Sequence, residues 1–111
     1  MQIDLSRFRH VRVDESRKIA HVAGGSLLGE IDHECMAHGL VTTAGTVSHT
    51  GVGGLTLGGG FGRVGRRFGL ALDNVKGVDV VTADGIASRT RNIELSNVAA
   101  LRQHESVDVP V

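Results

Sequence analysis

Seven of the twelve residues from Gly51 to Gly62, in the run Gly-Val-Gly-Gly-Leu-Thr-Leu-Gly-Gly-Gly-Phe-Gly, are glycine. Ordering glycine costs more backbone entropy than ordering any other residue, so a folded chain keeps such a cluster only where side chains would obstruct. Successive bare N–H groups form a concavity suited to an anion, and a phosphate or diphosphate is the natural occupant. A flexible linker is the competing reading, but linkers pair Gly with Ser. Here Val52, Leu55, Leu57 and Phe61 interleave with the glycines. The segment is built to pack, and its composition favours a ligand-cradling loop.

Other residues with chemical potential are weaker. Gly60-Phe61-Gly62-Arg63-Val64-Gly65 matches G-x-G-x-x-G, a pattern that carries meaning only between a strand and a helix of a βαβ unit. Leu57-Gly58-Gly59 precedes it instead of a buried β-run, so the dinucleotide fingerprint is rejected; the missing Gly-Lys-Ser/Thr ending rejects a P-loop. His33, Cys35 and His38 diverge on a helix and no second Cys exists, so no metal site is expected. Cys35 reads as a small core residue. Arg63, Arg66 and Arg67 can reach a phosphate, although a solvated basic face is the simpler reading. His49 is equally a surface histidine or a ligand contact. Asp73-Asn74 and Asp84 read as turn residues. No catalytic residue is identified.

These groups need elements to position them. Val11 and Val13 alternate with polar residues, and Ile19–Val22 follows a polar turn, which predicts a β-hairpin. A helix is predicted from Ser26, as N-cap, to His38, with Leu27, Leu28, Ile31 and Cys35 on one face. Gly39 then supplies a left-handed C′ residue and Leu40 folds back over the last turn. Val41–Thr46 is short, β-prone and polar. Leu55–Phe68 holds one or two short helical turns broken by glycines 58–60. Val78–Ala83 and Ile86–Arg91 form a hairpin around a two-residue Asp84-Gly85 turn with positive φ at both positions. Strands, one clear helix and a Gly-rich loop give an α+β fold class.

The 111-residue length allows one small domain or a piece of a larger one. Aromatics are 3% of the chain, so Val, Leu, Ile and Ala must build the core. Twelve basic residues balance twelve acidic ones, which argues against nucleic acid or an anionic membrane as partner. The single Cys35 excludes an internal disulfide and fits a reducing compartment. With no apolar run of membrane length and no signal peptide, a cytoplasmic location is expected.

One ordered set of motifs is more specific. It comprises Ala23-Gly24-Gly25-Ser26-Leu27-Leu28-Gly29-Glu30-Ile31, His38-Gly39-Leu40, Ala44-Gly45-Thr46, Gly51 to Gly62, Arg66-Arg67-Phe68-Gly69-Leu70, Asp73-Asn74 and Val80-Val81-Thr82-Ala83-Asp84-Gly85. Together, over roughly Ile3 to Gly85, they resemble the FAD-binding domain of the FAD-linked oxidases of the vanillyl-alcohol oxidase superfamily. The berberine-bridge-enzyme-like group is the most similar branch. The resemblance implies a partial PCMH-type FAD-binding domain, its second, larger half, over residues 1–90, with mixed or antiparallel strands, a packed helix and a Gly-rich loop. It implies that Gly45, Thr46 and Ser48 approach the flavin and its linker. Gly51, Val52, Gly53 and Gly54 would line the pyrophosphate, and Gly58 and Gly62 would let the following turns pack close. Phe68 and Leu70 are expected in the core.

Departures from that pattern carry expectations too. Family members hold the flavin with an upstream Arg-x-Gly-Gly-His segment, and this chain is expected to begin downstream of it. Some add a covalent bond from a Cys where this chain has Thr46-Val47-Ser48-His49-Thr50, so the FAD is non-covalent as far as this chain shows. The substrate domain with its catalytic base is expected to follow and is absent. Asn92–Arg102 echoes a helix of the family, and residues 91–111 read as a divergent C-terminal tail. The resemblance therefore implies FAD binding within an FAD-dependent oxidoreductase, by a fragment inactive alone. The alternatives are a stand-alone nucleotide-binding module completed by a partner chain, or a non-functional gene remnant.

Overall fold

Val11–Asp14 (β1) and Ile19–Ala23 (β2) form the expected antiparallel hairpin, Val11 opposite Val22 and Asp14 opposite Ile19. This is seen in a computed structural model of the chain, which describes residues 1–91 and 104–110. Asp14 Oδ1 organises the connecting turn by accepting from the Ser16 hydroxyl and the Arg17 N–H. Ala20, Val22 and Ala23 of β2 are fully buried.

The predicted helix is Leu28–Ala37 (α1), one step shorter at its start than the sequence suggested. Ser26 is not the N-cap, because its hydroxyl is committed to the backbone of His10. Leu27 takes the N-cap position, and its N–H is accepted by the Glu30 carboxylate at 2.7 Å. The other end is as expected. Gly39 has φ +66°, its N–H donates to Met36 O, and Leu40 N–H reaches back to Cys35 O at 2.9 Å. Ten residues are too few for a helix to persist alone in water. Burial of Leu28, Ile31 and Cys35 against Ala20, Val22, Ala44 and Val52 supplies the stability, about 1.5–3 kcal/mol for each large aliphatic side chain.

After a stretch at 41–46 outside any strand or helix come Val52–Leu57 (α2) and Gly65–Phe68 (α3); one or two short helical turns were expected over Leu55–Phe68, and the first begins earlier, at Val52. Gly59 and Gly60, at φ +108° and +75°, turn the chain between them. Phe68 and Leu70 are not in the core, with 48% and 38% of their surface exposed. The single turn of α3 buries no residue, and the chain is anchored next to it by Ala71, whose N–H donates to Gly60 O. Phe68 instead borders a cleft of about 320 Å³ with Lys18, Leu40 and Val41. Asp73 and Asn74 act as turn residues, Asp73 accepting from Leu70 N–H and Asn74 donating to the carbonyls of Phe68 and Leu70.

Gly77–Val81 (β3) pairs with Ala87–Arg91 (β4), and His104–Pro110 (β5) completes an antiparallel sheet of order β1-β2-β5-β3-β4. The turn between β3 and β4 is longer than the two residues expected. Gly85 N–H donates to Thr82 O, Thr82 N–H donates to Ile86 O, and only Gly85 has positive φ. A three-residue connection with glycine in the left-handed position satisfies the hairpin, so Asp84 needs no strained backbone. Part of the C-terminal stretch that the sequence set apart thus lies mid-sheet, with Val107 opposite both Val22 and Val78. The helix echo at 92–102 lies outside the described residues. The architecture is α+β, as expected.

Candidate functional site

The glycine-rich loop is docked on the start of α1. First-turn N–H groups of a helix have no internal acceptor, and loop carbonyls take them here. Leu28 N–H donates to Thr50 O at 3.0 Å and Gly29 N–H to Ser48 O at 2.8 Å. Gly29 permits that approach, since a Cβ would stand 3.1 Å from Ser48 Cβ. Val52 N–H donates to Ser26 O at 2.9 Å, beside a bridge between Leu27 and Gly51.

The segment that receives the loop is itself held from behind. The fully buried Ser26 hydroxyl both donates to His10 O and accepts from His10 N–H. Gly25 N–H donates to Phe8 O, and a Cβ on Gly25 would fall 1.9 Å from Leu5 O. Arg9 forms a bidentate pair with Glu30, the closest contact being 2.6 Å. Arg9 foremost, and then the Leu27 N–H, holds the Glu30 carboxyl below its usual value. Segments 8–10, 25–28 and 48–52 therefore lie side by side.

Beside the loop is a cleft of about 310 Å³ lined by Asp32, Val41, Thr42, Ala44, Gly45, Thr46, Ser48, Arg63 and Val64. Gly45, Thr46 and Ser48, the residues expected nearest the flavin, thus come together. The N–H groups of Thr43, Ala44, Gly45 and Thr46 donate no hydrogen bond among the described residues. Thr43 Oγ1 is also buried without a partner. Thr43 and Ala44 are buried, Gly45 is half-buried and Thr46 is exposed, and N–H groups without an acceptor beside a cleft have the chemistry of a ligand cradle.

The glycine run divides by what a side chain would meet. At Gly51 and Gly54 a Cβ would find no atom within 4 Å, so bare backbone faces open space. Gly53 packs against Gly24 O, which would lie 3.1 Å from a Cβ. The N–H groups of Gly53 and Gly54 have no acceptor among the described residues. Val52 differs from the glycines beside it: its side chain is 2% exposed in the core and its N–H is used by Ser26. Gly58 differs too, because its Cβ would come no nearer than 3.5 Å to another residue and close packing does not require glycine there. Gly62 does allow close approach, as a Cβ would overlap Ala44 O at 1.6 Å.

Sequence reasoning grouped three arginines that the structure separates. Arg67 stacks over the Phe68 ring at 5.1 Å and Arg66 is solvent-exposed, whereas Arg63 borders the cleft. His49 is exposed and does not line the cleft. The supports Ser26, Arg9 and Glu30 were missed as parts of the site. Glu30, three residues after Leu27, carried a helix-capping signal, but nothing in the sequence pairs it with Arg9. Among the described residues no group of His, Cys, Asp and Glu is arranged to hold a metal, and no helix is long and apolar enough to cross a membrane.

A group fitting this cradle offers an anion to backbone N–H groups and hydroxyls or carbonyls to Thr46 and Ser48, which describes a nucleotide diphosphate. Comparison with known proteins points the same way. A sequence profile described as FAD binding domain matches residues 1–91. An FAD-linked oxidoreductase of Dictyostelium discoideum is 43% identical over 83 residues, covering 75% of this chain and 18% of that protein. A monolignol oxidoreductase of Arabidopsis thaliana is 38% identical over 87 residues, covering 75% of this chain and 16% of the relative. Crystalline 6-hydroxy-D-nicotine oxidase from Arthrobacter nicotinovorans superposes with a TM-score of 0.84 at 27% identity, over 97% of this chain and 25% of that structure. The chain thus spans about a sixth of the length of these two curated relatives, 18% and 16%.

Proposed function

The chain belongs to the FAD binding domain family, and from that premise we propose that its cleft and glycine run bind the FAD of an FAD-dependent oxidoreductase. One observation carries the reading: the N–H groups of Ala44, Gly45 and Thr46, which have no acceptor among the described residues, border one cleft together with Ser48. Gly45, Thr46 and Ser48 take the flavin side of the cofactor. Gly51, Gly53 and Gly54 take its diphosphate, the first and last offering unobstructed backbone and the last two free N–H groups. Gly62 shapes the cleft through Ala44, and Val52 and Gly58 serve the scaffold. Bound FAD supplies a ring that accepts two electrons from a substrate. This chain's own residues bind and orient it, and no side chain here is proposed as the catalytic base.

A second reading, in which another polypeptide segment or a partner chain completes the flavin site, is favoured by exposed apolar side chains. Phe61 is 76% and Val41 57% exposed, with Phe68 nearby on the Val41 cleft, more apolar surface than an isolated small domain needs to show. A cytoplasmic location is proposed on the buried free thiol of Cys35. The test is to incubate the purified 111-residue chain with FAD, desalt it and record its spectrum. Retained flavin absorbance, without flavin reduction by candidate substrates, is expected. Loss of all flavin from the folded chain refutes binding by this chain alone, and flavin reduction by the chain alone refutes its need for further residues.

A further inference from the structure

Resting on the FAD reading above, we propose that Gly29, in the first turn of α1, is a positioning residue for the cofactor loop. It draws the Ser48 carbonyl onto the helix, so that the loop is left with N–H groups, not carbonyls, to offer the cofactor. Glycine is among the poorest helix formers, and Gly29 has no positive φ to require it. The helix itself gains nothing from glycine there. What the missing side chain makes room for is the loop. A Cβ on Gly29 would stand 3.1 Å from Ser48 Cβ and 3.2 Å from Ser48 O, and the Gly29 N–H donates to that oxygen at 2.8 Å.

The hydrogen bonds of the loop are one-sided. The carbonyls of Val47, Ser48, Thr50 and Gly51 accept from the N–H groups of Thr50, Gly29, Leu28 and Leu55, in that order. The N–H groups of Ser48, Gly51, Gly53 and Gly54 have no acceptor among the described residues. A carbonyl oxygen carries partial negative charge and repels a phosphate, whereas an N–H attracts it, so a backbone anion site needs its carbonyls occupied elsewhere. The start of α1 takes two of them, those of Ser48 and Thr50. That helix end is not itself the anion site, because its other first-turn donors are used as well: Leu27 N–H by the Glu30 carboxylate and Glu30 N–H by Leu27 O. Gly29 does not line the cleft, but through this contact it sets the position of Ser48, which does.

The experiment is a fluorescence titration of the full chain with FAD, together with thermal midpoints, on Gly29→Ala, Ser48→Gly and the double variant. Gly29→Ala is expected to raise the dissociation constant about fivefold, what one neutral hydrogen bond is worth. Its midpoint should stay within about 4 °C of that of the unsubstituted chain, because alanine favours the helix while the loop contact weakens. With Ser48→Gly already present the new methyl meets no Cβ, and adding Gly29→Ala should then cost less than about twofold. An unchanged dissociation constant in Gly29→Ala overturns the assignment while the FAD reading stands. The same loss in both backgrounds also overturns it, because Gly29 then acts other than through Ser48. A midpoint lowered by more than the stated margin overturns it too, as it marks a packing role. An unsubstituted chain that is folded but binds no FAD overturns the FAD reading and this assignment together.

Discussion

Replacing Gly54 by alanine is expected to stabilise the chain and weaken FAD binding, whereas Gly62→Ala is expected to destabilise it strongly. At Gly62 the new Cβ would lie 1.6 Å from Ala44 O and 2.8 Å from its carbonyl carbon. Ordinary contact requires the two backbones to part by about 2 Å, and overpacking of this kind costs about 3 kcal/mol. With an unfolding entropy of about 2 cal/mol/K per residue, that loss lowers the thermal midpoint by roughly 13 °C. At Gly54 the Cβ meets nothing and φ is not positive. Helical Gly→Ala there contributes about 0.5–1 kcal/mol through the unfolded chain, which raises the midpoint by roughly 2–4 °C. On the proposed FAD reading the same methyl would stand where the diphosphate approaches, and about tenfold of affinity should be lost. Calorimetry and FAD titration on both variants make the comparison. Wild-type affinity in Gly54→Ala would refute the claim that this backbone faces the cofactor, and a midpoint lowered by only a few degrees in Gly62→Ala would refute the close packing on Ala44.

Two other perturbations have defined outcomes. Glu30→Gln breaks a pair whose side chains are 36–39% exposed, so the loss is expected at about 0.5–1 kcal/mol in urea unfolding. Because Arg9 and the Leu27 N–H lower the folded pKa of Glu30 below its ordinary 4.5, the contribution is complete above that value and disappears as pH falls through the folded one. A wild-type advantage that persists at lower pH contradicts the pairing. Burial foremost, then the Asp32 and Glu34 carboxylates, pushes the Cys35 thiol up to about 11. Alkylation of the native chain at pH 8 should therefore run about a hundredfold slower than in denaturant, from thiolate population alone; equal rates would show that α1 is not packed on the sheet.

Local rules made some features legible. The β1–β2 alternation, the Gly39 cap and the helical face of α1 depend on neighbours in sequence, and those were found where expected. The Ser26 cap failed because a tertiary partner, the His10 backbone, outcompeted a local one. Phe68 and Leu70 were misplaced for a related reason, since apolarity reports a preference for burial but not whether a facing surface exists. In the glycine run the sequence indicated crowding without saying by what. Gly62 is crowded by Ala44 of this chain, whereas Gly51 and Gly54 face open space. That distinction between packing glycines and ligand-facing ones requires coordinates. The same holds for Arg63, whose separation from Arg66 and Arg67 depends on where Gly62 docks.

The middle position of β5 has a consequence for how the chain reaches its fold. β1–β2 and β3–β4 are hairpins that close on near neighbours and can form within microseconds. Among the described residues they share no edge with each other: β2 and β3 are joined there through His104–Pro110. Until that late-synthesised segment inserts, two hairpins each present an open row of N–H and C=O groups, the template on which chains aggregate. Completion of the sheet is a long-range closure and should set the folding rate. A chain cut before His104 would keep every cleft residue named above and lose the strand that makes one sheet of two hairpins.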